Sequence, residues 1–532
     1  MSKRFISFFL SAFLMSFSAT YAVDLSTFLK AKLDNNQALN AANDQVKNAA
    51  NFYKARHYQQ IWVKGDGFTS AAETVLDVLK KAAVEGLEPS DYARALELVE
   101  EAKSNSGKLL EAEIALTALA LEYVDDLLGE RLNPRKIGKA LYLKAKNIDA
   151  VQIMTEAMAK DPSGEWLTHL TISHPEYQLL KSKLAEYRAQ SEQSHYPNLS
   201  KGKKIELKST GGRVETLQWQ LSSLGYLTEK HSQGTVDIAT EQAIKSFQEE
   251  NHLKVDGIVG TITVAALNSY NLDDRIRQII VSMERWRWLP EDLGKRYVLV
   301  NIAGFELAAI ENGVEKLRMP VIIGRTYRKT PVFSSKIDSV RFNPSWHVPR
   351  SIAVKDKLKK IRKDPAYLTR GGYILYNSHG DRMNPHNVNW GSVSASNFNF
   401  RIRQNPGSNN ALGKIRFAIK SPFNVYLHST PDKHLFEKEK RNFSSGCIRV
   451  GDPKSLAVFV FNDEGSWPYD RIAKNMEGTQ TQNVPIKNPV NVYISYFTVW
   501  KGSDSKLRFS QDLYGQDKAI WDALQSRKKN RI

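Results

Sequence analysis

A single cysteine, Cys447, stands in 532 residues. That excludes an internal disulfide, so packing alone must hold the fold, and it excludes any paired Cys-x-x-Cys metal site. His-Glu-x-x-His is missing as well, so no metal or cofactor is expected. Apolar runs are short: beyond Phe17 none is long enough to cross a bilayer. Acidic residues are the scarcer charge, 57 against 75 Lys and Arg, which leaves a formal net charge of +18. Such a surface attracts polyanions. Low-complexity tracts and internal repeats are also absent.

What is present begins with an address. Lys3 and Arg4 precede an apolar run from Phe5 to Phe17, and small residues lead to Ala22. This is the n-region, h-region and cleavage site of a secretory signal, too short to span a membrane. Residues 1–22 are therefore expected to be removed and the mature chain exported; an uncleaved membrane anchor is the alternative. Export makes nucleic acid an improbable polyanion and favours a carboxylate-bearing wall polymer or anionic lipid.

Residues 23–200 have a helical pattern. Ser70-Ala-Ala-Glu73 is a capping-box signal before Val75, Leu76, Leu79 and Ala83, with Gly86 as the stop. A second apolar-striped helix is expected from Leu110 to Leu128. The aromatics Phe52, Tyr53 and Trp62 fit a core better than a ligand platform. Gln190 to Lys208 is polar and expected as a linker. Residues 209–268 hold three short helical patterns, Val214 to Leu227, Ala243 to Gln248 and Thr261 to Leu267. Arg285-Trp286-Arg-Trp288 suits packing between domains better than a nucleic-acid stripe.

From residue 296 the period changes to that of strands, with Asn312-Gly313 as a hairpin turn. Residues 351–403 break the pattern: a basic helical start is followed by Gly, Asn and Ser around Tyr376, Trp390, Phe398 and Phe400. So long an irregular segment in a compact domain is expected to be a functional cover. Residues 516–532 end in Arg527-Lys-Lys-Asn-Arg531 and are expected to be a solvated basic tail.

One stretch carries chemistry. Val425 to His428 alternates like a strand, and nineteen positions later a Ser444-Ser445-Gly446 turn delivers Cys447. A thiol attacks as thiolate, and an imidazole lowers its pKa by holding the proton. Cys447 is thus expected to be largely thiolate at neutral pH, with His428 as its base. Gly446 allows close approach, and backbone N–H groups there suit a developing oxyanion. His434 is the rival base, but a loop holds it less rigidly than a strand. A buried, inert cysteine is the bland alternative.

His428-Ser429-Thr430-Pro431, then Ser444-Ser-Gly-Cys-Ile-Arg449, resembles the catalytic motif of the L,D-transpeptidases, the YkuD-like cysteine enzymes of bacterial cell walls. Thr330-Pro331, Asn343 to Pro349 and Asn410 to Phe417 resemble further landmarks of that domain, and His347 is expected to be structural. Asp256-Gly-Ile-Val-Gly260 resembles the turn of a peptidoglycan-binding domain, with Thr261 where that family has proline. Gly86 to Tyr92 resembles, more loosely, the scaffold domain of large Gram-negative members.

The resemblance implies a multidomain α+β protein: an all-α scaffold (23–200), a three-helix peptidoglycan-binding domain (209–268) and a mainly-β catalytic domain (296–515) with an inserted lid (351–403). It implies that the Ser429 carbonyl orients the imidazole, that Ser445, Gly446 and Cys447 N–H groups form the oxyanion hole, and that Arg449 holds substrate polar groups. Ser445, Arg449, Tyr426 and Trp390 form the expected substrate-binding set. The implied partner is peptidoglycan, a tetrapeptide stem as donor and a diaminopimelate amine as acceptor. Carbapenem-type inhibitors and other wall-synthesis proteins are further expected partners. Water or a protein lysine as acceptor, or a non-catalytic wall scaffold, are the competing functions. The papain type is excluded by order, since there cysteine precedes histidine.

Overall fold

The computed structural model describes residues 25–34, 44–129, 131–143, 146–193, 197–227, 231–251, 253–268, 271–461, 465 and 467–531. The expected signal segment, 1–22, lies outside them. The chain divides into two compact units. One comprises residues 1–83, 88–125 and 149–170, the other 84–87, 126–148 and 171–532.

The first unit is helical. Helix α1 (Asp44–Ala55) and α2 (Ser70–Lys80) bury Phe52, Tyr53, Val75, Leu76 and Leu79, and Trp62 lies in the same unit fully buried. The cap of α2 is Thr69 rather than Ser70: its Oγ1 accepts from Ala72 N, because a cap must lie outside the helix it closes. On α3 (Leu109–Leu128), buried Glu113 accepts from the Ile61, Trp62 and Val63 backbone at 2.7, 2.9 and 2.8 Å and from Tyr53 Oη at 2.7 Å. Burial still pushes its carboxyl upward.

In the second unit, α4 (Pro175–Gln193) takes in only the start of the expected linker, residues 190–193. Residues 197–208 are no free linker either. Leu199 and Ile205 are buried, Leu199 N donates to Asn268 at 2.7 Å, and Ile205 bridges to Val259. This segment therefore packs onto the three-helix domain that follows it. The helices of that domain are α5 (Gly212–Ser223), α6 (Ile238–Glu250) and α7 (Thr261–Asn268). Two buried glutamines pin its loops. Gln218 accepts from Gly234 N at 2.8 Å, and Gln248 accepts from Gly257 N at 2.9 Å. Helix α8 (Leu272–Arg287) follows, capped by Asn271. Its Arg–Trp alternation is internal packing. Trp286 stacks between His174 and Phe497, and Arg287, fully buried, bonds Glu284 at 3.0 Å and Tyr177 at 2.8 Å.

Strands β1 (Arg296–Asn301), β2 (Glu306–Glu311), β3 (Val314–Ile322) and β4 (Phe333–Phe342) come next. Asn312 and Gly313, at φ 50° and 76°, make the β2–β3 turn that the sequence promised. A second sheet joins β5 (Trp346–His347), just before the insertion, to β6 (Tyr373–Tyr376), β7 (Arg382–Met383) and β8 (Arg401–Gln404), in the order β5-β8-β6-β7. Strands β9 (Ile415–Ile419), β10 (Leu427–His428), β11 (Ile448–Val450) and β12 (Gln482–Ser495) complete a closed barrel in the order β9-β10-β11-β3-β2-β1-β12-β4. Helix α9 (Pro453–Phe461) packs its apolar side inward, and β13 (Val499–Lys501) pairs with β14 (Leu507–Phe509).

Two expectations change here. The insertion is not irregular: Leu358, Ile361, Leu368, Leu375, Trp390, Phe398 and Ile402 form a core of its own. Residues 516–531 are not a tail but a helix, α10 (Gln516–Arg531), which buries Ile520 and Leu524. Its basic end disguised an apolar stripe one turn earlier.

Candidate active site

Strands β10 and β11 are parallel, with Leu427 opposite Ile448 and His428 opposite Arg449. One step back, Tyr426 lies beside Cys447, and Ile448 N donates to Tyr426 O at 3.1 Å. Because side chains alternate along a strand, Tyr426, His428, Cys447 and Arg449 share one face. The nineteen-residue spacing is the length of the crossover that a parallel pair requires.

The turn before Cys447 is held from several sides. Ser444 N and O bond Ile323 O and Arg325 N at 2.9 and 3.1 Å. Ser444 Oγ donates to Cys447 O at 2.6 Å and accepts from Gly446 N at 3.0 Å. Thr330 Oγ1 donates to Gly446 O and accepts from Gly324 N, each at 2.9 Å. Gly446 has φ 113°, a conformation that a side chain would strain. Ser445 Oγ accepts from Arg328 Nη1 at 2.8 Å, and the same guanidinium grips Asp356 of the insertion, Nη2 to Oδ1 at 2.8 Å.

His428 is buried, 4 % exposed. Its Nδ1 donates to the Ser429 carbonyl at 2.6 Å, the contact expected from the sequence. This fixes the tautomer that leaves Nε2 as acceptor. Ser429 is locked in turn: its Oγ accepts from Lys414 N at 2.7 Å and Ile415 N at 3.1 Å. Gly413, at φ 62°, passes so close that a Cβ there would lie 2.2 Å from that oxygen.

The electrostatics differ from the expected ion pair. Burial, with the Arg449 charge adding to it, pushes the His428 imidazole down to about 3. Burial also pushes the Cys447 thiol up, against the opposing effect of Tyr426 and the arginines 416 and 449. The half-buried thiol points at Asn424 O, 3.7 Å away. The resting state is therefore neutral thiol and neutral imidazole, since desolvation disfavours both charged forms. In such a pair a proton could leave the thiol only as the sulfur attacks, and His428 Nε2 is the acceptor that the geometry offers.

Several expected substrate groups are otherwise occupied. Arg449 bonds Asp432 Oδ2 at 2.9 Å and Thr430 Oγ1 at 3.3 Å, so its charge is already met by an ion pair. Gly446 N–H is spent on Ser444, which leaves Ser445 and Cys447 as N–H donors at the turn. Trp390, 4 % exposed, lies in the insertion core with its Nε1 on Pro385 O at 2.7 Å, because an apolar ring of that size stabilises more by burial than by waiting for substrate. Tyr426 does face the site, its ring edge-on to His428 at 5.7 Å. His434 and His347 are exposed, His434 on the short 3₁₀ turn Lys433–Glu437 and His347 on β5. Among the described residues no cluster of three metal-ligating side chains occurs. Reasoning from the sequence missed Thr330 as support for Gly446, although its Thr-Pro landmark was visible, and it missed Arg328 and Arg416, which carry no local signature.

Comparison with known proteins matches three segments to families. Residues 47–184 match a "Scaffold domain", residues 210–267 a "Putative peptidoglycan binding domain", and residues 295–480 the YkuD family, an "L,D-transpeptidase catalytic domain". A Haemophilus influenzae protein described as "Putative L,D-transpeptidase" is 30% identical over 288 residues, 53% of this chain and 57% of that protein. The chain thus spans just over half the length of that relative. Among solved structures, an L,D-transpeptidase fragment from Xylanimonas cellulosilytica is 16% identical, covering 56% of this chain and 99% of its own, with a TM-score of 0.18. L,D-transpeptidase 3 from Mycobacterium tuberculosis, with a faropenem-derived adduct, is 16% identical over 38% and 60%, with a TM-score of 0.20. The mixed α+β architecture and the three kinds of domain agree with the expectation from sequence.

Proposed function

We propose, from the premise of an L,D-transpeptidase catalytic domain in residues 295–480, that this protein cross-links peptidoglycan stems 3→3 through a thioester on Cys447. The observation that carries the reading is the 2.6 Å bond from His428 Nδ1 to Ser429 O, which presents Nε2 as a base on the face that also carries Cys447. Sγ attacks the carbonyl that precedes a terminal D-Ala as its proton passes to Nε2. The oxyanion faces the N–H groups of Ser445 and Cys447. Collapse breaks the C–N bond, and Nε2 returns the proton to the leaving amine. A diaminopimelate amine then attacks the thioester by the reverse route and releases the thiol.

Incubation with purified sacculi and mass spectrometry of the released peptides tests this. Cross-linked dimers are expected. Trimmed monomers alone would mean that water is the acceptor, and no change would leave only a wall-binding scaffold. A carbapenem should add its mass to Cys447 and not to Cys447→Ser. We place the mature protein in the periplasm, cut after Ala22; N-terminal sequencing should return Val23, and Met1 would overturn it.

A further inference from the structure

The register of four barrel strands sets a row of side chains across the catalytic face. Arg341 on β4 is opposite Arg416 on β9, Arg416 is opposite His428 on β10, and His428 is opposite Arg449 on β11. The three arginines are not equivalent. Arg449 is neutralised by Asp432. Arg341 has only the neutral Asn483, at 3.3 Å. Arg416 lies over the Tyr426 ring, 5.0 Å from its centroid, and its Nε is buried with no hydrogen-bond partner. Among the described residues no carboxylate contacts either; Asp338, the acid nearest in effect, is bonded by Ser339 Oγ at 3.0 Å.

Two adjacent guanidinium groups, one of them half-buried, form a costly arrangement unless an anion joins them. Burial and the Arg341 charge both lower the Arg416 pKa, as expected for a cation awaiting a counter-charge. A planar guanidinium that no carboxylate engages suits one ligand type above others, a carboxylate bound through both oxygens. The place is informative too. Arg416 lies over the ring of Tyr426, the neighbour of Cys447, and its charge acts on the thiol, so an anion on Arg416 would lie on the catalytic face near the attacked carbonyl.

We propose that Arg416, with Arg341 behind it, is the anchor for the α-carboxylate next to the reacting nitrogen. The proposal rests on the thioester reading above and deepens it. In that reaction the leaving D-Ala carries a carboxylate on the carbon bonded to the departing nitrogen. A diaminopimelate acceptor carries one on the carbon bonded to the entering nitrogen. One anchor therefore serves both halves of the exchange, and water or a protein lysine, which lack that group, cannot use it.

The test compares two tetrapeptide stems, one ending in free D-Ala and one in its C-terminal amide. Binding is measured by calorimetry on full-length Cys447→Ala, where no chemistry occurs, and acylation by intact mass on the active enzyme. The free acid should bind roughly tenfold or more tightly than the amide, the usual scale for a hydrogen bond to a charged group. Adding Arg416→Gln should abolish that discrimination, and Arg416→Lys, which keeps the charge without the fork, should retain part of it and serves if the Gln variant does not fold. Equal binding of acid and amide, or discrimination that survives the loss of the Arg416 fork, overturns the anchor. Discrimination that vanishes with Arg416 while no stem acylates Cys447 would uphold the anchor and overturn the thioester reading.

Discussion

The turn at 444–447 and the insertion at 351–403 invert what their compositions suggest. The turn is Ser-Ser-Gly-Cys, a run with little intrinsic preference, yet Ile323, Arg325, Thr330 and Arg328 all bond it. The insertion looks loose, rich in Gly, Asn and Ser, yet its aromatic and aliphatic residues close around one another. Rigidity in the turn comes from hydrogen bonds to neighbouring strands. In the insertion it comes from burial. Arg328 joins the two, bonding Ser445 and Asp356 with the same guanidinium. A subdomain that carries its own core holds its shape by burial, so any coupling between it and the turn passes through contacts such as these rather than through loop flexibility.

The contrast can be broken most severely at the nucleophile. Cys447→Ser should abolish acylation by mass spectrometry, and His428→Ala should slow it about 10²–10⁴-fold, the usual worth of a positioned base. His434→Ala should leave it near the wild-type rate. In the insertion, Trp390→Ala should cost the subdomain about 3–5 kcal/mol, the range for emptying a large aromatic site, and open residues 351–403 to limited proteolysis. Deleting residues 378–398, which would remove Trp390, Val393 and Phe398 from that core, should unfold the subdomain rather than merely uncover the site. At the support of the turn, Thr330→Val removes the hydroxyl that joins Gly324 to Gly446; about 1–3 kcal/mol should be lost in denaturant melts, with slower alkylation of Cys447.

A pH titration sharpens the electrostatic side of the comparison. Because the imidazole is depressed to about 3 and the thiol is raised, iodoacetamide alkylation should climb through the alkaline range with no inflection near 6.5. A plateau already reached at neutral pH would restore the ion pair. The smallest effect belongs to the link between the regions. Asp356→Asn weakens a partly exposed ion pair, worth at most about 1 kcal/mol, and should alter turnover only a few-fold while alkylation stays near wild type.

Much of this was legible in the residues. His428 and Cys447 could be found because a strand pattern, a tight turn and a lone thiol coincide. The Ser429 carbonyl followed from the motif that contains them. The hairpin at Asn312-Gly313, the three short helices and the core role of Trp62 followed from period and turn chemistry. The helix at 516–531 did not, because its charged end outweighed Ile520 and Leu524 in a reading made by composition. Arg449 and Arg416 show the limit best. Arg449 stands in a motif and was assigned to substrate, whereas Arg416 stands in none, and the structure exchanges their circumstances.

The sequence by itself determined which atoms can react and roughly which elements carry them, because nucleophile, base, turn and hydrophobic period are properties of neighbouring residues. Only the tertiary structure decided the protonation of Cys447 and His428, the pairing of Arg449 and the freedom of Arg416. Those depend on desolvation and on charges brought from other strands and loops, such as Asp432 and Arg341, and a local pattern does not encode what will be packed against it.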